Sequence, residues 1–221
     1  MRRSAEDTLL IFDCDGVLVD SEPVAGRVLN DALRELGLDL SLTESAERFT
    51  GLSMEACARL AGEMLGSPMP EGFAAEMERR TIAALRRSLR PVAGVEDVLR
   101  RLPHPRCVAS SGSRDKTRAS LRAARLDRWF EPGSIFSSED VERGKPAPDL
   151  FLHAAGASGF AGDHCIVIED SVPGVTAAVA AGMRVFGYAG RTEPRALRSA
   201  GATVFSRMSE LAALIGDPPT D

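Results

Sequence analysis

Apolar positions along the chain fall into two kinds of pattern. Four short runs are apolar almost throughout and rich in β-branched residues: Leu9–Phe12, Cys107–Ala109, Cys165–Ile168 and Arg184–Tyr188, with a weaker fifth at Ala202–Phe205. Runs that do not alternate with polar residues predict strands of a parallel sheet covered on both faces. Helical spacing separates them. Thr117–Leu126 follows Ser113 and carries Ala119, Leu121, Ala123 and Ala124, and Pro173 opens a segment running through VTAAVAA to a stop at Gly182. This strand–helix alternation predicts a doubly wound α/β domain.

Residues 13–105 carry no strand pattern and read as helices instead. Ser21 is the expected cap of a helix bearing Val24, Val28, Ala32, Leu33 and Leu36, stopped by Gly37. Ser53 is the expected cap of a second, with Met54, Cys57, Leu60, Ala61 and Met64, and a third runs from Phe73 to about Leu89. The segment Ser67–Gly72 is a turn and Pro91 closes the section. The expectation is an α/β core made of residues 1–17 and 89–221, interrupted by an all-helical insert over 18–88. The GDPPTD tail is expected to be disordered on composition.

Composition narrows the function. A net charge of −5, without a long Lys/Arg run, excludes a general binder of nucleic acid or of anionic membranes. No apolar run reaches the length of a membrane span, and Glu6, Asp7 and Asp13 interrupt the start too early for a signal peptide. Cys14, Cys57, Cys107 and Cys165 lie far apart in apolar segments, so buried free thiols in a reducing cytoplasm are expected. The expected partner is a small molecule, and the expected assembly a monomer or weak dimer. Of the 27 basic residues only Lys116 and Lys145 are lysine. Lys116 reads as an ordinary helix-surface residue.

In open parallel sheets ligands bind outside the carboxyl ends of the strands. There the chain places Asp13-Cys14-Asp15-Gly16, then Ser110-Ser111-Gly112, then Glu169-Asp170-Ser171, with Gly144-Lys145-Pro146 in an intervening loop. If those strands are neighbours, Asp13, Asp15, Glu169 and Asp170 converge on one crevice. Clustered carboxylates cannot all stay ionised without a cation. A hard ion such as Mg²⁺ suits them, since it binds through one or two carboxylates plus phosphate oxygens. Lysine and serine then suit an anionic substrate, and paired acids can divide nucleophilic and proton-transfer work. The chemistry implied is metal-assisted phosphoryl transfer.

The ordered segments DCDGVLVDSE, CVASSGS, GKPAPD and VIEDSVPGV resemble the haloacid dehalogenase-like hydrolase superfamily, in the branch with a helical cap inserted after the first motif. That branch includes beta-phosphoglucomutase, phosphoglycolate phosphatase and sugar-phosphate phosphatases. The resemblance implies that Asp13 is a nucleophile forming an aspartyl-phosphate, and that Asp15 protonates the leaving alcohol and then activates water. It implies that Ser110, or the adjacent Ser111, holds the phosphoryl group with Lys145. It also implies Mg²⁺ on Asp13, Asp170 and the Asp15 carbonyl, with Glu169 a ligand or a supporting group.

Within the family, Asp15 separates phosphate chemistry from dehalogenation, and the lysine-free insert argues against a phosphonatase. The first helix of the insert, EPVAGRVLN, has no histidine, and the GLS turn is followed by Met54 rather than an arginine. Both departures disfavour a beta-phosphoglucomutase-type phosphosugar mutase and favour hydrolysis of a sugar phosphate or phosphogluconate-like ester. The cap is expected to exclude water and select the substrate. A phospho-accepting, receiver-like signalling domain and a non-catalytic interaction protein remain as readings of another class.

Overall fold

The structure, a computed structural model, describes residues 7–49, 52 and 54–216. The expected caps and tails at Ser53 and residues 217–221 lie outside the described residues. The chain runs β1 (Leu9–Phe12), α1 (Glu22–Glu35), α2 (Leu42–Phe49), α3 (Met54–Leu65), α4 (Phe73–Ser88) and α5 (Val95–Arg101). It continues β2 (Arg106–Ser110), α6 (Arg114–Ala123), β3 (Ile135–Ser137), α7 (Asp149–Ala157), β4 (Cys165–Glu169) and α8 (Val172–Ala180). It closes with β5 (Arg184–Tyr188), α9 (Pro194–Ser199), β6 (Thr203–Phe205) and α10 (Met208–Gly216).

All strand pairs are parallel, and the sheet order is β3-β2-β1-β4-β5-β6. The central strands β1 and β4 are buried along their whole length because both faces of the sheet are covered. On one face Leu9, Ile11, Cys107, Ala109 and Val167 pack with Leu150, Phe151, Ala154, Val175 and Ala178 from α7 and α8. On the other, Phe12 meets Phe130 edge to face at 6.2 Å. The strand order turns back between β1 and β4, so the chain departs in opposite directions from their carboxyl ends and leaves a crevice there.

The doubly wound parallel sheet is the expected one, with one strand more. β3, three residues within GSIFSS, pairs with β2 but is too short to show an apolar run. Helix α6 begins at Arg114 rather than Thr117, because Ser113 accepts a hydrogen bond from the Lys116 amide, and it ends before Arg125 at φ 57°. Ser21 does not cap α1 through its side chain: it is itself helical, and its carbonyl accepts from Val24 and Ala25. The four cysteines are free and buried. Phe130 is buried in the core, while Trp129 is half-buried beside Arg106 and Arg128.

The chain divides into two compact units, residues 1–19 with 90–221, and residues 20–89. The first contains the sheet. The second is built from α1–α4 around Leu29, Leu33, Leu40, Phe49, Cys57, Phe73 and Met77. Its ion pairs, Arg34–Asp39 and Arg80–Glu35 among them, lie on its surface. Among the described residues no helix is long and apolar enough to cross a membrane.

Candidate active site

The segment after β1 turns sharply. The Gly16 amide donates to the Val19 carbonyl (2.8 Å), and Leu18 and Val19 both donate to the Cys14 carbonyl (3.0 Å). Gly16 adopts φ +82°, and a Cβ there would lie 2.0 Å from Asp170 Oδ2. Only glycine therefore lets the Asp170 carboxylate approach the backbone next to Asp15. The Asp13 amide donates to the Ile168 carbonyl at the end of β4 (2.9 Å), which fixes the two strand ends against each other. Asp13, Asp15 and Asp170 thus meet at the sheet's turning point.

Lys145 reaches into the same place from the loop before α7. Its Nζ donates to Asp13 Oδ1 (2.6 Å), Glu169 Oε1 (2.7 Å) and the Ala109 carbonyl (3.0 Å), so all three ammonium protons have an acceptor. The side chain is 3% exposed, and its Nζ lies 4.9 Å from the centre of the Phe151 ring. Glu169 is the other fixed point. Its Oε2 accepts from the Asp170 amide, the Ser171 amide and Ser171 Oγ, each at 2.9 Å. Helix α8 closes over it through glycine: a Cβ on Gly174 would sit 1.8 Å from Glu169 Oε1. Both Glu169 oxygens thereby accept hydrogen bonds from the protein.

Ser110, at the end of β2, is buried, and its Oγ accepts from the Gly112 amide (3.1 Å). Ser111 is exposed, and its carbonyl accepts from Ser138 Oγ (2.9 Å). One residue of the cluster escaped sequence reading. Lys116 does not lie on an open helix surface: its Nζ donates to Asp15 Oδ2 at 2.8 Å. The available signal was its rarity, one of two lysines among 27 basic residues, at the start of a helix that follows a strand end.

Burial pushes the Asp13 carboxyl up to about 7; Lys145 opposes the rise and the Glu169 charge adds to it. Burial pulls Lys145 down, but Asp13 and Glu169 more than offset this and hold its ammonium above the ordinary lysine range. Asp13, Glu169 and Asp170 are buried with one buried ammonium between them, so the cluster lacks positive charge. Among the described residues no three His, Cys, Asp or Glu side chains form a group that would enclose a metal by themselves. Asp13 and Asp170 offer hard oxygen donors instead. Two carboxylates completed by a backbone carbonyl and a ligand's own oxygens are the donor set of a magnesium-like cation.

Comparison with known proteins identifies the family. Residues 8–182 match the model of the haloacid dehalogenase-like hydrolases. The chain is 31% identical over 203 residues to the 6-phosphogluconate phosphatase of Escherichia coli K12, covering 91% of each chain. A haloacid dehalogenase-like protein of Agrobacterium tumefaciens superposes with a TM-score of 0.82 at 38% identity, over 94% of this chain and 97% of that one. A family hydrolase from Deinococcus radiodurans, solved with phosphate and sodium bound, gives 0.79 at 33% identity over 97% and 96%. With its motifs on adjoining strand ends and the match spanning β1 to the end of α8, the chain belongs to the haloacid dehalogenase-like hydrolase family.

Proposed function

We propose that this protein is a Mg²⁺-dependent phosphatase that hydrolyses a small phosphorylated metabolite through an aspartyl-phosphate. The observation that carries this reading is the Asp13–Lys145–Glu169 triad at the carboxyl ends of β1 and β4. It presents a nucleophilic carboxylate bonded to a buried ammonium that also suits a phosphate. The phosphate carried by the Deinococcus radiodurans relative supports the ligand class.

In the first half-reaction an Asp13 oxygen attacks phosphorus, the bond from phosphorus to the ester oxygen breaks, and the departing oxygen takes a proton from Asp15. In the second, Asp15 takes a proton from water as the water oxygen attacks phosphorus. The bond from Asp13 to phosphorus then breaks, inorganic phosphate leaves and both aspartates are restored. Ser110 and Lys145 hold the transferring group; buried Ser110 suits this role better than exposed Ser111. Asp13, Asp170 and the Asp15 carbonyl would hold Mg²⁺, which would supply charge neutralisation at the phosphoryl group. Glu169 keeps Lys145 in place. The helical unit, residues 20–89, selects the substrate.

The likeness to 6-phosphogluconate phosphatase supports a phosphorylated sugar acid or sugar phosphate as substrate. A panel of phosphate esters, assayed with Mg²⁺, with EDTA and with Asp13→Asn, tests the reading. Release of phosphate that requires Mg²⁺ and disappears in Asp13→Asn is expected. Turnover unchanged by the substitution overturns the mechanism, and sugar-phosphate isomerisation without phosphate release overturns the phosphatase in favour of a mutase.

A further inference from the structure

Lys116 and Asp15 are 101 positions apart in the chain, yet Nζ and Oδ2 meet at 2.8 Å. Their side chains are 24% and 28% exposed, so the pair is partly open to solvent, unlike the sealed Lys145 triad. The lysine is placed by local chemistry. Ser113 Oγ accepts from the Lys116 amide (3.3 Å), and Thr117 Oγ1 donates to the Ser113 carbonyl (3.0 Å), so the first turn of α6 is held at both ends. The aliphatic stem then passes over Gly112, where an added Cβ would lie 3.4 Å from both Lys116 Cδ and Ser110 Oγ. The lysine stem and the Ser110 hydroxyl are thus neighbours across one glycine.

An ion pair still open to solvent contributes modestly to stability, so this geometry calls for another consequence. It falls on Asp15, whose carboxylate must meet two different oxygens in the two halves of the reaction. We propose that Lys116 is a positioning residue for Asp15. By holding Oδ2 it fixes the side-chain rotamer, so that the proton passes to the leaving oxygen, and later from water, along a set direction. The inference rests on Asp15 serving as the acid–base group; it requires no contact between Lys116 and the substrate.

Steady-state kinetics of Lys116→Met and Lys116→Arg on an alkyl phosphate, such as 6-phosphogluconate or glycerol phosphate, provide the test. Lys116→Met is expected to lower kcat by about 10- to 100-fold with KM within about twofold. On p-nitrophenyl phosphate, whose leaving group departs without a proton, kcat/KM falls by at most about threefold. Lys116→Arg, which keeps a donor for Asp15, recovers most of the alkyl-ester activity. Three results overturn the proposal: unchanged kcat with raised KM, which makes Lys116 a substrate ligand; equal losses of kcat/KM on both esters; or no loss on either. Melting curves of both variants exclude a folding defect as the source of lost turnover. Asp13→Asn, assayed in parallel, separates the two claims. If it stays active the aspartyl-phosphate reading itself fails; if it is inactive while Lys116→Met behaves as wild type, only the positioning role fails.

Discussion

Two carboxylates, one in each unit, are both bonded to cations yet shift in opposite directions. In the helical unit, hydrogen bonds from Arg79 and Arg80 hold the exposed Glu76 carboxyl down to about 2. In the sheet unit, Asp13 is bonded to Lys145 at 2.6 Å, yet burial beside Glu169 lifts it to about 7. Water explains the difference. On a solvated helix face a cation has only to stabilise a carboxylate that water already solvates. At the end of β1 the same carboxylate has lost its water, and one ammonium is shared between two acids. The close contacts of the helical unit are arginine pairs of a solvated surface. Those at the carboxyl ends of β1 and β4 are lysine pairs around an excess of buried carboxylates.

The largest expected effect comes from removing the shared ammonium. Lys145→Met leaves Asp13 and Glu169 buried without their common partner, which costs about 3–5 kcal/mol of folding stability. Activity is expected to fall at least about 10³-fold, since in the proposed mechanism the same group holds the phosphoryl oxygens. Chemical denaturation and ester hydrolysis check both; a variant of wild-type stability would mean that the triad is better solvated than its 3% exposure indicates.

An intermediate effect concerns pH. A metal that binds the ionised Asp13 carboxylate must displace the proton held with a pKa of about 7 in the metal-free protein. Apparent Mg²⁺ affinity is therefore level above pH 7 and falls toward acid, by about tenfold for each pH unit below it. Calorimetric titration at pH 6 and pH 8 measures this, and equal affinities would remove Asp13 from the metal site. The smallest effect belongs to the helical surface. Arg80→Ala, which breaks contacts to Glu35 and Glu76, is expected to shift the melting temperature by no more than about 2 °C. A larger shift would show that the surface pairs matter more than their exposure suggests.

Much of this contrast was legible in the chain. β1, β2, β4 and β5 stood out because strands covered on both faces must be apolar at every position. The acids and Lys145 stood out because they follow those strands directly. β3 stayed hidden for want of length. Helix α2 was overlooked although its capping box is written as Ser41-x-x-Glu44: the Ser41 amide donates to Glu44 Oε2 (3.0 Å), and the Glu44 amide to Ser41 Oγ (3.2 Å). Lys116 was read as surface because its partner lies 101 residues away, a pairing that follows only from the order of β2 beside β1. Glu169 could be named from its motif, but the four hydrogen bonds that its oxygens accept follow only from the folded arrangement.

Everything said of the sheet unit's chemistry depends on Asp13 becoming covalently attached to phosphorus. The direct measurement is to quench the enzyme in acid during turnover of a hydrolysed ester, digest it and determine the mass of the peptide containing Asp13. A peptide heavier by one phosphoryl group, present in wild type and missing in Asp13→Asn, is the expected result. Rapid hydrolysis with no phosphorylated peptide, or with the phosphoryl group on another residue, would contradict it.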